Sequence, residues 1–237
     1  MNAKKKAVII GAGVGGLATA NFLAKNGYSV EIYEKNANPG GRCGQMTQDG
    51  HRFDLGATIL LMPSLYKQVL SELGVDLEKD LETTSLEPVY KLFFGNGNDF
   101  AFTRDPSQMK MQLEAIEPGS FPKYQEYVKE GYDYFNLSMN DLLGKNFDHL
   151  FQFVNFKSMR LLLKLKTYLY HTDYIKRFFK DPHLQMAFTF QNIYVGQNPY
   201  EAPAFFSMLP GAEIAEGALF PKGGMHRIVE TLLALAD

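Results

Sequence analysis

Three glycines at 11, 13 and 16, an acid at 34 and an arginine at 42 are the residues whose types and spacing could do chemistry together. Gly11, Ala12, Gly13, Val14, Gly15 and Gly16 spell a G-x-G-x-x-G turn, and such a turn serves to hold a diphosphate. Gly11 permits the tight turn, Gly13 lets the backbone approach the phosphates, and Gly16 lets the next helix lie close to the preceding strand. The anion then faces a helix N-terminus, where unpaired N–H groups and the positive end of the helix dipole favour it. Glu34 follows at the distance of a ribose ligand: a carboxylate there accepts from both hydroxyls and repels a 2′-phosphate, which disfavours NADP. Lys35, beside it, is a further candidate contact.

These side chains need elements to carry them. Residues 7–10 read as a short, fully buried parallel strand, and the glycine turn opens a helix with Ala20 on its packed face and Gly27 at its close. Residues 29–34 read as the second strand, with the acid at its end. A single glycine fingerprint is weak evidence, but here the whole βαβ context accompanies it.

Two further segments follow, Pro39-Gly40-Gly41-Arg42 and Phe53-Asp54-Leu55-Gly56-Ala57-Thr58. Through them the chain resembles the FAD-containing amine oxidase superfamily and, within it, the carotenoid (phytoene) desaturase and carotenoid isomerase group. The resemblance implies FAD as cofactor, with Gly41 and Arg42 along the pyrophosphate and with Gly56, Ala57 and Thr58 near the flavin ring. Desaturases often carry proline where this chain has Ala57. The likeness resumes at Tyr194-Val195-Gly196-Gln197-Asn198-Pro199 with Ala202-Pro203, and at Phe220-Pro221-Lys222-Gly223-Gly224-Met225.

The fold class implied is α/β: a Rossmann-like, glutathione-reductase-like FAD-binding domain with an inserted mixed α+β, helix-rich substrate domain. Residues 1–75 are expected to begin the FAD-binding domain, 76–215 to form the substrate and membrane-associating domain, and 216–237 to return towards the first. Only two strands of the nucleotide-binding sheet are legible. The family's adenine-contacting strand and its C-terminal flavin segment are not found, so the chain is expected to be the N-terminal part of a longer enzyme, inactive as 1–237 alone.

Along the chain, residues 64–73 read as a helix with Leu65, Val69, Leu70 and Leu73 inward, closed by Gly74. Residues 87–103 read as a hairpin about Gly95-Asn96-Gly97-Asn98, and 106–116, 121–137 and 225–236 as helices. With 237 residues, 46% of them hydrophobic, the chain can bury a large core, and its net charge of −2 selects no charged partner. One cysteine excludes an internal disulfide and fits a reducing, cytoplasmic setting. Cys43 beside Arg42 reads as a small packing residue or as a thiol of lowered pKa, and the packing reading is adopted. Lys4 to Lys6 before an apolar stretch imitate a signal peptide, but the glycines that follow make a poor hydrophobic helix.

The segment 151–180 carries Lys157, Arg160, Lys164, Lys166, Lys176, Arg177 and Lys180 against the single acid Asp173, interleaved with aromatic and aliphatic residues. Two readings stand: a helix lying on a membrane surface, which would make the protein peripheral on the cytoplasmic membrane, or a helical core with a solvated basic face. Nucleic acid is not an expected partner, because the chain is acidic overall and carries no recognition motif. The five histidines lack metal-ligand spacing, and neither a G-x-S-x-G elbow nor a Walker loop occurs.

The function implied by the resemblance is FAD-dependent desaturation or isomerisation of a long apolar polyene, with hydride transfer to flavin N5 in desaturation. The cofactor carries that chemistry, so no catalytic acid or base is named. The alternatives are an FAD-dependent amine oxidase and a non-catalytic prenyl- or lipid-binding protein like the Rab escort and GDP-dissociation-inhibitor group. Glu34 and Arg42 argue against the last, since a protein without FAD needs no ribose or diphosphate ligand.

Overall fold

The computed structural model of the protein describes residues 5–235. In chain order its elements are β1 (Lys6–Ile10), α1 (Val14–Lys25), β2 (Ser29–Tyr33), β3 (Gln45–Gln48), β4 (His51–Asp54), β5 (Leu60–Leu61), α2 (Pro63–Glu72) and β6 (Thr83–Ser85). Then come β7 (Tyr90–Phe93), β8 (Asp99–Phe102), α3 (Pro106–Ile116), α4 (Ser120–Ser138), α5 (Leu150–Phe153), α6 (Phe156–Lys164), α7 (His171–Ile175), α8 (Pro182–Ala187) and α9 (Met208–Glu216). The last are β9 (Ala218–Pro221) and α10 (Arg227–Ala234). They form two compact units, Met1–Leu86 with Ala218–Asp237, and Glu87–Gly217.

The first unit keeps the chain beyond residue 75, where the sequence suggests a boundary. The cause is β6, whose Thr83, Thr84 and Ser85 pair with Pro221, Phe220 and Leu219 of the returning strand β9. β5 pairs with the other edge of β9, so the return is built into a three-stranded antiparallel sheet. β1 and β2 pair in parallel from Lys6↔Ser29 to Ile10↔Tyr33, with α1 as the crossover. The core of this unit joins Leu17 of α1, Leu60, Leu70 of α2, Leu77, Leu81 and, from α10, Ile228, Val229 and Leu232. Asn21 adds a polar tie between α1 and α10: its Nδ2 donates to Leu17 O at 3.0 Å and to Leu232 O at 2.8 Å.

Three expectations need correction here. β1 is not fully buried, since Val8 and Ile10 are 58% and 91% exposed. Its residues alternate because α1 lies on one face of the β1–β2 pair, and among the described residues the other face has no cover. Val69 of α2 is exposed instead of facing inward, whereas Leu70 is buried. α10 begins at Arg227, two residues after the expected start; the last residue expected in it, Ala236, lies outside the described residues, as does Lys4.

The second unit is built on β7–β8, an antiparallel hairpin whose Phe100 and Phe102 enter an aromatic core. Asp105 caps α3 by accepting from Ser107 N and Gln108 N, and Pro106 occupies the first turn, where its missing N–H costs nothing. α4 ends in a π-turn at Met139–Leu143. Tyr127 of α4 stands at the centre of the aromatic cluster with Tyr174, Phe178, Phe179 and Phe188 around it. Among the described residues no helix is long and apolar enough to cross a membrane.

Candidate functional site

The glycine turn lies between β1 and α1, as its spacing requires. Gly11 N donates to Tyr33 O at 2.7 Å, which carries the parallel ladder one residue past the strands and brings the turn beside the end of β2. Gly16 sits against the turn itself: a Cβ there would fall 2.1 Å from Gly11 O, so only glycine fits. Gly13 is the N-cap of α1 and has no side chain to cap the first turn, which leaves its amides for an external anion.

Glu34 closes on this turn. Its Oε2 accepts from Ala12 N at 2.8 Å and its Oε1 from Asn36 N at 2.9 Å. Hydrogen bonds from the Asn36 and Ala12 amides hold the carboxyl below the usual glutamate range. A carboxylate oxygen that accepts one such bond has a second lone pair free, so Glu34 can still accept from a ribose.

A parallel bridge joins Gly13 to Gly40, and Gly40 N donates to Ala12 O at 2.8 Å. This places the 40–43 turn against the glycine turn, and together they line a cavity of about 450 Å³ with Gly13, Val14, Gly15, Gly40, Gly41, Arg42, Cys43, Ala57, Tyr66, Met225 and Ile228 on its walls. Gly56 stands behind it, where a Cβ would meet Arg42 O at 1.9 Å; that close approach explains the glycine in the 53–58 segment and fixes the backbone that carries Arg42. Cys43 is buried, and burial, then the Asp54 carboxylate, push its thiol pKa up. The packing reading of Cys43 therefore describes its surroundings better than activation by Arg42.

Of the sequence candidates, Gly13, Val14, Gly15, Gly41, Arg42 and Ala57 line the cavity. Gly11, Ala12, Gly16, Glu34 and Gly56 form the turns around it. Lys35 and Thr58 are exposed and do not line it. Sequence reasoning missed Tyr66 and Ile228, which arrive from α2 and α10 and bear no local motif. The residues present fit a dinucleotide: uncapped helix amides and a guanidinium for a diphosphate, and a carboxylate for a ribose.

This arrangement has the geometry of a dinucleotide-type glycine turn. A match over residues 14–237 to the family described as flavin containing amine oxidoreductase narrows it, and the chain belongs to that family. Its cofactor class is therefore a flavin. The zeta-carotene-forming phytoene desaturase of Myxococcus xanthus is 35% identical over 98% of this chain and 45% of its own length. The 4,4'-diapophytoene desaturase of Staphylococcus aureus (strain Newman) is 33% identical over 97% of this chain and 46% of its own. The chain thus spans about half the length of the curated relatives it matches. Among solved structures, a putrescine oxidase bound to putrescine covers 99% of this chain and 49% of its own, at 18% identity and a TM-score of 0.59. A Rab GDI from Plasmodium falciparum covers 99% of this chain and 57% of its own, at 11% identity and a TM-score of 0.57. At such identities these likenesses bear on the fold alone.

Proposed function

We propose that the protein is an FAD-dependent oxidoreductase acting on a long apolar polyene, as its relatives' names suggest, and that its first unit is the N-terminal part of a glutathione-reductase-like Rossmann domain. The supporting observation is identity of 33–36% to phytoene and diapophytoene desaturases over nearly the whole chain. In this reading the amides at the start of α1 and the Arg42 guanidinium hold the diphosphate, and Glu34 accepts from the ribose. Ala57, Tyr66, Met225 and Ile228 supply the apolar wall that excludes water. FAD, when bound, supplies the hydride acceptor for making a C=C bond.

The reading includes a lipid surface, where such a polyene dissolves. Phe156, Met159 and Leu163 of α6 are exposed, and Arg160 and Lys164 make no ion pair among the described residues. An exposed apolar edge flanked by cations suits an anionic headgroup layer.

The test is the visible spectrum of the intact, purified protein during anaerobic incubation with phytoene or with putrescine. Bleaching of the flavin bands by phytoene alone supports the proposal. Bleaching by putrescine alone makes the protein an amine oxidase, and a colourless protein that binds prenyl lipid makes it a carrier.

A further inference from the structure

Three segments distant in sequence meet behind the cavity, and their meeting point is Met225. Its N–H donates to Asp54 Oδ2 at 2.8 Å, and its carbonyl accepts from Cys43 Sγ at 3.2 Å. The next residue returns the contact: His226 Nδ1 lies 2.8 Å from Cys43 O, a pairing that needs the proton on Nδ1. Gln45 Nε2 steadies the carboxylate from its other side, 3.3 Å from Asp54 Oδ1. Gly224 has φ of 102°, and a Cβ there would fall 2.7 Å from Asp54 Oδ2, so the carboxylate rests directly on the backbone of the turn.

β9 ends at Pro221 and α10 begins at Arg227, so Met225 lies between the two elements. Its carbonyl accepts from Ile228 N at 3.2 Å as well as from the Cys43 thiol, whereas its N–H donates to the Asp54 side chain. Met225 is buried and lines the same cavity as Gly13, Arg42 and Ala57, so where this turn sits decides the shape of the wall. The same bonds reach Arg42 through its neighbour Cys43, whose backbone carbonyl and thiol are both engaged.

We propose that Asp54 is a positioning residue for the cofactor: acting with Cys43 and His226, it locks the 224–226 turn to the 42–44 turn and thereby shapes the flavin cavity. Aspartate suits the position because an ionised carboxylate only accepts, and both groups that face it, Met225 N–H and the Gln45 amide, donate. This inference rests on the reading of the cavity as a flavin site.

The experiment compares the intact wild-type protein with Asp54→Ala, Asp54→Asn and Lys222→Ala. FAD dissociation constants, the absorption fine structure of bound FAD and the unfolding temperature without FAD are measured for each. Lys222 pairs with Glu82 at 2.6 Å on the same return segment and serves as the control. Asp54→Ala is expected to weaken FAD binding by about tenfold and to alter the flavin bands. Asp54→Asn keeps an acceptor of the same shape and is expected to recover to within about threefold, with wild-type bands. Lys222→Ala is expected to match wild type. Where Asp54→Ala does not fold, Cys43→Ala reads the same lock from the opposite side by removing only the thiol's bond, with weakening of about threefold. Wild-type affinity and bands in the alanine variant, or an asparagine variant as impaired as the alanine one, overturn the positioning role. Absence of FAD binding in wild type itself sinks the flavin reading, and this inference with it.

Discussion

Phe156 of α6 is 85% exposed and Phe179, beyond α7, is 0% exposed, although both belong to one stretch of mixed lysine, arginine and aromatic residues. Polar anchors make the difference. Lys166 Nζ lies 2.5 Å from Glu130 Oε1 and over the Tyr174 ring, and the Tyr174 hydroxyl donates to Glu130. His171 is wholly buried, with Nε2 2.9 Å from the Tyr127 hydroxyl and Nδ1 3.2 Å from Asn192 Oδ1. These contacts draw the chain from residue 165 onwards against α4, where Phe179 stacks on Phe188 at 4.9 Å between centroids. Upstream, Lys157 pairs with Asp141, but among the described residues nothing comparable draws the aromatic side chains inward. Composition therefore does not decide burial in such a segment; a few specific partners do.

The sharpest way to break this comparison is to truncate one aromatic ring in each half. Phe179→Ala should cost about 3–5 kcal/mol of stability in urea unfolding, as a large core deletion does, and Phe156→Ala less than about 0.5. Equal losses would mean that α6 is packed as tightly as the region beyond it.

Buried ionisable groups set a second contrast within the same unit. Glu213 is 2% exposed and accepts from Tyr90 and Tyr194, each at 3.1 Å; burial raises its pKa from 4.5 to about 7. Its folded value lies above its unfolded one, so stability present below pH 4.5 is lost as pH rises towards 7, by about 3 kcal/mol. His171 works in reverse: burial lowers its pKa from 6.5 to about 4, so its contribution is present above pH 6.5 and lost as pH falls towards 4. Urea midpoints across pH 4 to 8 should therefore fall at both ends. Between pH 4.5 and 6.5 the two contributions offset, so Glu213→Gln should remove the decline above pH 6.5 and steepen the rise from pH 4 to 6.5, and an unchanged alkaline limb in that variant would refute the assignment to Glu213.

In the FAD reading proposed for the glycine turn, by contrast, few side chains would carry the recognition. Glu34→Ala should weaken FAD binding roughly ten- to a hundredfold, since a hydrogen bond to a charged group is lost. Dialysed wild type and variant with the same flavin content would remove Glu34 from the site. The smallest effect belongs to α6: Arg160→Gln should lower partitioning to anionic liposomes by about 1 kcal/mol at low salt, and should leave binding to neutral liposomes unaltered. Flotation of both proteins to the same extent on anionic vesicles would count against a lipid-facing helix.

Legibility followed the range of the interactions. The βαβ unit, the hairpin of β7 and β8, and the helices α3 and α4 could be read locally, because glycine turns, alternation and proline-led caps act within a few residues. Gly41, Arg42 and Ala57 could be named as candidates from short motifs, and they do line one cavity. Tyr66 and Ile228 could not, because nothing near them in sequence distinguishes a wall residue from an ordinary core residue. The packing reading of Cys43 could be adopted from its residue type, but the burial and the Asp54 carboxylate at the end of β4 that raise its thiol pKa could not be read from its neighbours in sequence.

The sequence by itself determined the dinucleotide turn, the acid that closes on it and the family, since each rests on residue type at fixed short spacing. Tertiary structure alone decided three other things: which half of the basic segment is buried, that β6 belongs to the first unit by pairing with β9, and that Met225 is held between Cys43 and Asp54. Local geometry limits what a turn can be, whereas burial and long-range hydrogen bonds depend on partners that arrive only when the chain has folded.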